Sequence, residues 1–151
     1  MAGQGLRWIR VVCILGMVAW GSSAFAEDPI TAFRTFGAKA KQSEAKVTLT
    51  HLYTMQMMHH VETDQYAGFK PLGAGTGRCK AAAIEFELVD CDKSNYKYSI
   101  VATANTFLIK AESLIGKQHG LFPGCKVADV WTMDHKKNLV NTSNAIEKCG
   151  K

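Results

Sequence analysis

The sequence predicts an α+β fold: one long amino-terminal helix packed on a roughly four-stranded antiparallel sheet. Two observations carry this. Residues 30 to 62 are good helix formers interrupted by one glycine, Gly37, whereas the chain after Tyr66 breaks into short apolar or alternating runs separated by turn residues. A helix followed by a meander of strands is the α+β order, with the helix laid across one sheet face. At 151 residues and 47% hydrophobic content, one domain with a real core is expected.

The first 26 residues read as a signal peptide, set apart from a domain spanning 27 to 151. Arg7 and Arg10 supply positive charge, VVCILGMVAW a short apolar run, and GSSAFA ends in small residues at Ala24 and Ala26, the pattern cut by a signal peptidase. The mature chain then begins at Glu27. The apolar run is shorter than the roughly 20 residues that span a bilayer. Only an uncleaved leader would make the membrane a partner.

Pro29 stands where a first-turn proline is tolerated, because its missing N–H has no helical partner there. At 100° per residue, Ala45, Leu49, Leu52, Tyr53 and Met57 fall in one broad arc, with Lys39, Glu44 and His51 outside it. The arc predicts the buried face, and Glu44 to Thr48 the wet one.

GFKPLGAGTGR reads as turn-rich, a flexible loop between helix and sheet. The sheet is expected over about residues 80 to 142, from AIEFELV, YKYSIVATA, TFLIKAES, ADVWTM and NLVNT. DHKKN is short enough to close a hairpin.

Setting aside Cys13 in the leader leaves Cys79, Cys91, Cys125 and Cys149, an even number that suits disulfides in an oxidising compartment. Four cysteines allow three connectivities; the two sequential pairs are favoured because each closes a compact local loop. Zinc is disfavoured, since no CxxC or Cys/His spacing of the usual kind is present. Removing Arg7 and Arg10 from 18 basic residues leaves 16 against 13 acidic ones, a mild +3 that is no nucleic-acid signature by itself.

No chemistry-bearing constellation stands out. MQMMHH, Met55 to His60, offers thioether and imidazole groups suited to copper, but Met55, Met57 and Met58 spread widely round a helix, so core and rim packing is the expectation. His60 with Glu62 and Asp64 lacks the one-face geometry of a hard-metal motif. GAGTG has neither the Lys-Ser/Thr of a P-loop nor a third dinucleotide-binding glycine, Arg78 standing there. GxSxG and SxxK are absent, and His119 and His135 fall in loop-like stretches. The expectation is a non-enzyme with no metal and no cofactor.

AKAKQSEAK, then LYT, TDQYAGFKPLG and DVWTMDHKKNLVNTSNAI, resemble in that order the globular part of type IV pilins, the major subunits of bacterial type IV pili. PITAFRTFGAKAKQ resembles the stretch where the family's spine helix carries a proline and an aromatic pair, here Pro29, Phe33 and Phe36. The resemblance covers roughly residues 29 to 147. It implies a long helix on a four-stranded antiparallel sheet whose carboxy-terminal portion a disulfide closes, a role that fits Cys125 with Cys149. Cys79 and Cys91 would then clip the first strand of the sheet to the following loop.

The leader departs from the family. Holding Pro29 in register puts Arg7 where pilin precursors have glycine, Trp8 at the aromatic and Val12 at the glutamate, so the aromatic alone survives and Arg10 intrudes into apolar spine. In a pilus the apolar half-helices form the central bundle. Each large aliphatic side chain buried there is worth about 1.5 to 3 kcal/mol, so a subunit lacking that half should stay soluble.

The resemblance therefore implies an exported pilin-like protein of the periplasm or cell surface, structural or adhesive, whose partners are pilus components or a surface receptor. The loops from Lys70 to Cys79 and the hairpin from Trp131 to Asn141 are the expected contact regions. Two alternatives stand beside it. Lys126, Lys136, Lys137 and Lys148, with Lys151, form a basic patch for DNA or another anionic ligand if the two ends meet, acting by phosphate neutralisation; a solvated rim that protects a sheet edge is the plainer expectation. The other alternative is a membrane-anchored minor pilus subunit with a degenerate leader.

Overall fold

Asp28 and Pro29 start the long helix. The Asp28 carboxylate accepts from the Ile30 N–H at 3.5 Å, and Pro29 occupies the first turn. Helix α1 runs Pro29–Thr63, 35 residues and about 52 Å long. It stops at Asp64, whose left-handed φ of 57° turns the chain while its N–H donates to His60 O at 2.9 Å. The computed structural model describes residues 28–73, 75–116 and 121–150. The expected leader with Ala24 and Ala26, together with His119 and Lys151, lies outside them.

Seven strands follow among the described residues: β1 (Phe69–Gly73), β2 (Lys80–Ala81), β3 (Phe86–Glu87), β4 (Tyr96–Ala102), β5 (Phe107–Ser113), β6 (Val130–Asp134) and β7 (Leu139–Ser143). Five of them make one antiparallel sheet in the order β1-β4-β5-β6-β7, and β2 pairs with β3 in a separate two-stranded ribbon. A short helix α2, Ala145–Cys149, follows β7, its first turn capped by Asn144 Oδ1 accepting from Ile146 N–H at 3.0 Å.

α1 lies across the sheet with Ala38, Gln42, Ala45, Leu49, Leu52 and Gln56 buried. The opposing surface comes from alternate residues of the central strands: Tyr96, Tyr98 and Ile100 from β4, and Phe107, Ile109 and Ala111 from β5. Ala45, Leu49, Leu52, Tyr96, Tyr98 and Ile109 are fully excluded from solvent. Tyr53 and Met57 pack at the core's rim. The expected arc is thus the buried face, widened by two polar residues, Gln42 and Gln56.

Several expectations need correction. The sheet has a fifth strand, because residues 69 to 73, read as turn, pair with β4 as an edge strand. Pro71 cannot donate to a ladder, and it falls where the register shifts between Phe69 and Leu72, at an edge where a missing N–H is tolerated. Gly73 ends β1 at φ +113°, and a Cβ there would stand 2.5 Å from Tyr96 O. Gly73 N–H donates to Arg78 O at 2.8 Å, and the Thr76 hydroxyl donates to Gly73 O at 2.7 Å.

AIEFELV does not enter the main sheet. Ala82–Ile84 form a 3-10 turn, Glu85 takes a left-handed φ of 50°, and only Phe86–Glu87 pairs, with β2. Lys80 Nζ meets Glu87 Oε2 at 3.0 Å across this ribbon. The Cys79–Cys91 bond, with Cα atoms 5.5 Å apart, therefore ties the start of the ribbon to a second 3-10 turn, Cys91–Lys93, and not the first strand of the main sheet to its loop.

Glu44, expected on the wet face, is engaged. Its carboxylate accepts from Ser94 Oγ at 3.1 Å, Asn95 N at 3.3 Å and Asn95 Nδ2 at 2.7 Å, docking the segment ahead of β4 onto the flank of α1.

Candidate interaction surfaces

The carboxy-terminal part of the fold is organised on one buried carboxylate. Asp129, just ahead of β6, is fully excluded from solvent and accepts five hydrogen bonds, one each from α1, β4, β6, β7 and α2. Oδ1 takes Gln42 Nε2 at 3.0 Å, Asn141 Nδ2 at 3.3 Å and Ala145 N at 3.1 Å; Oδ2 takes Tyr96 OH at 2.8 Å and Trp131 Nε1 at 2.7 Å. Burial, then the bond to Asp129, raises the Tyr96 pKa far above its ordinary 10.0, so its phenol remains the donor. The Asp129 N–H donates to Ser113 Oγ at 2.8 Å. Neutral donors alone solvate this carboxylate, which joins α1, β4, β6, β7 and α2.

Cys125 and Cys149, with Cα atoms 6.0 Å apart, close the same region. Together the hub and the bond hold the β6–β7 hairpin against α1. At the hairpin tip Asp134 accepts from Lys136 N and Asn138 N, both at 2.9 Å, and Lys137 takes the left-handed φ of 66°. Tyr53 OH donates to His135 O at 3.4 Å, fixing the tip to the helix.

The four candidate lysines fall into two pairs. Lys136 and Lys137 sit at the tip, Lys137 Nζ 5.7 Å from the Tyr53 ring centroid. Lys126 and Lys148 adjoin the two ends of the Cys125–Cys149 bond, at the far end of β6. Five strand residues at 3.3 Å each put about 16 Å between the pairs. The two pairs thus stand toward opposite ends of β6.

The exposed side of α1 is different in character. Phe33, Phe36, Val47, Met58 and Val61 are between 53% and 82% exposed. At 100° per residue they lie within an arc of about 80°, centred opposite the buried face. Ala40, Ser43, His51 and Thr54 fill the same arc, and no Asp, Glu, Lys or Arg enters it. A helix normally turns charge to water on the side away from its core. Here that side is an uncharged line running most of the helix.

Val47 also opens a groove of about 440 Å³ between α1 and the ribbon. Val47, Thr48, His51, Phe86, Leu88 and Val89 line it together with the charged side chains of Glu44, Glu87, Asp90 and Lys93. The His51 ring meets the Phe86 ring edge-on at 5.3 Å, and Val89 is 83% exposed. Of the expected contact regions, residues 70 to 73 lie in the edge strand, and Trp131 is half-buried beneath Lys46 Nζ at 4.3 Å.

MQMMHH is divided among three surroundings. Gln56 is buried, its amide donating to Ala67 O and accepting from Ala67 N–H. Met57 accepts from Tyr66 OH at 3.9 Å, and His60 stacks on Tyr66 with ring centroids 4.2 Å apart. Met55, Met58 and His59 instead line a small pocket with Glu62 and Glu85. Among the described residues, the one set of three His, Cys, Asp or Glu donors close enough to share a metal is Cys79, Cys91 and Asp92, and its cysteines are spent in their disulfide.

Sequence reasoning missed Asp129 and both buried glutamines. Gln42 and Gln56 did leave a signal, since each falls in the arc of Ala45, Leu49 and Leu52. Asp129 left none, because its partners come from positions as far as 87 residues away.

No protein-family model, curated protein or solved structure matches the chain. A long amino-terminal helix packed on an antiparallel sheet is a pilin-like arrangement, and the two disulfides point to an oxidising, extracytoplasmic compartment. Among the described residues no helix is long and apolar enough to cross a membrane.

Proposed function

We propose that this chain is an exported, non-enzymatic pilin-like protein that works by protein contact in a setting related to type IV pili, freed of its leader after Ala26. The observation that supports this best is the uncharged outer line of α1, Phe33 through Val61, on a helix whose opposite face is already satisfied by the sheet. Large apolar side chains exposed along such a line are costly in water, and exposed apolar patches mark partner sites. The groove at Val47 continues the line and would receive a partner side chain. Covering the stripe requires an apolar surface, so a protein partner fits better than a polyanion, which the separated lysine pairs serve poorly.

Site-specific photocrosslinking tests the reading in a piliated bacterium. A photoreactive residue at Val47 or Val61 is expected to trap pilus subunits, and one at Lys97, on the sheet's other face, is not. Equal capture from all three positions, or none from any, overturns it. Amino-terminal sequencing of the exported protein is expected to start at Glu27; a start at Trp8 with the apolar segment retained in a fibre would favour the anchored subunit instead.

A further inference from the structure

We infer that the carboxy-terminal end of α1 is a soft-metal site for a monovalent copper ion, built from Met55, Met58 and His59 with the Glu62 and Glu85 carboxylates beside them. The first four stand at i, i+3, i+4 and i+7, the spacing that stacks side chains on one helix face. At 100° per residue they share an arc of about 100°. Taking Met55, Met57 and Met58 together hides this face, because Met57 belongs to Tyr66.

The five side chains line one pocket of about 190 Å³, closed from the other side by the Ala82–Ile84 turn that carries Glu85. That volume is below the roughly 300 to 1,000 Å³ of organic-ligand sites and suits an ion. Two thioethers and an imidazole are a soft donor set, which selects Cu(I) over Zn(II) or harder cations, and a neighbouring carboxylate offsets its charge. No hydrogen bond or ion pair engages His59, Glu62 or Glu85 side chains among the described residues, so these groups need break none to turn toward an ion. The four cysteines of the described region are locked in disulfides and offer no competing thiolate.

The test uses the disulfide-intact exported chain. Ag(I), which shares the charge and softness of Cu(I) and needs no reductant, is titrated against the methionine methyl resonances. One equivalent is expected to move Met55 and Met58 and leave Met57 and Met133 in place. Cu(I) affinity, measured against a chromogenic chelator in ascorbate, is expected to fall at least about tenfold in Met58→Leu and in His59→Gln. Met57→Leu and His60→Gln should bind as the parent does. Met58→Leu keeps the apolar outer line, so a lost metal site and a lost protein contact are read separately. Absence of any methyl shift at one equivalent, movement of Met57 in place of Met58, or unchanged affinity in Met58→Leu overturns the assignment.

Discussion

Gln42 on α1 donates from Nε2 to Asp129 Oδ1 at 3.0 Å, a bond between two buried side chains 87 residues apart. It is the point where the helix grips the carboxy-terminal hairpin, since the same carboxylate also orders Tyr96, Trp131, Asn141 and the start of α2. The helix's outer face can be offered to a partner because this inner attachment fixes its orientation over the sheet.

Removing the carboxylate leaves five donors facing each other without an acceptor. Asp129→Ala is expected to lose about 4 kcal/mol or more, because each stranded buried donor costs about 1 to 3 kcal/mol before relaxation. Asp129→Asn keeps the shape but turns one oxygen into an amine against at least two donors, at about 2 to 3 kcal/mol. Gln42→Ala should cost least, about 1 to 2 kcal/mol, since Asp129 keeps four partners. Denaturant unfolding with disulfides intact reads the order; Asp129→Asn as stable as the parent would refute the hub.

Gln56 makes a smaller version of the same attachment. Its amide both donates to and accepts from the backbone of Ala67, as a neighbouring strand would, and holds the turn that delivers β1 to the sheet edge. Gln56→Leu keeps the volume and strands both Ala67 groups, so a loss of about 2 kcal/mol is expected. Hydrogen exchange should quicken at Ala67 and through β1 before it does in β5. Exchange unchanged at Ala67 would show that the pair orders nothing.

These attachments mark where the sequence stops being legible. α1 could be read because a 35-residue helix repeats its period many times, and β4 and β5 because their alternation survives against one buried face. β1 escaped because Pro71 and Gly73 are turn residues everywhere except at an edge, and edge status depends on what pairs alongside. AIEFELV was misplaced because a short apolar run fits a buried strand, a ribbon or a turn equally well. The metal-donor face was present in the spacing of Met55, Met58, His59 and Glu62, but only Tyr66 shows which methionine to leave out.

The two disulfides close loops of 12 and 24 residues. The chain-entropy argument assigns them about 3 and 3.5 kcal/mol. Their structural reach differs more than these values do. Replacing Cys79 and Cys91 by Ser is expected to loosen the ribbon at β2 and β3 while the main sheet keeps its protection. Replacing Cys125 and Cys149 by Ser frees α2 and the approach to β6, next to the Asp129 hub, so protection should fall across β6 and β7. Native-state hydrogen exchange separates the outcomes; equal loosening everywhere would contradict this division.

Acid should find one specific weakness on the open face of the sheet. Glu112 on β5 holds Lys110 Nζ at 2.6 Å and Lys97 Nζ at 2.9 Å. The Lys110 hydrogen bond foremost, and Lys97 with it, lower its pKa below the ordinary 4.5 against the opposing effect of partial burial. The unfolded chain therefore takes up this proton at a higher pH than the folded one. The stabilisation is complete above about pH 4.5 and is lost as pH falls through the lower folded value. Glu112→Gln should cost about 1 kcal/mol or less at neutral pH, shrink further in high salt, and match the parent in strong acid. Paired unfolding curves from pH 7 to pH 2.5 measure it; a gap that widens on acidification has the wrong sign for this pair.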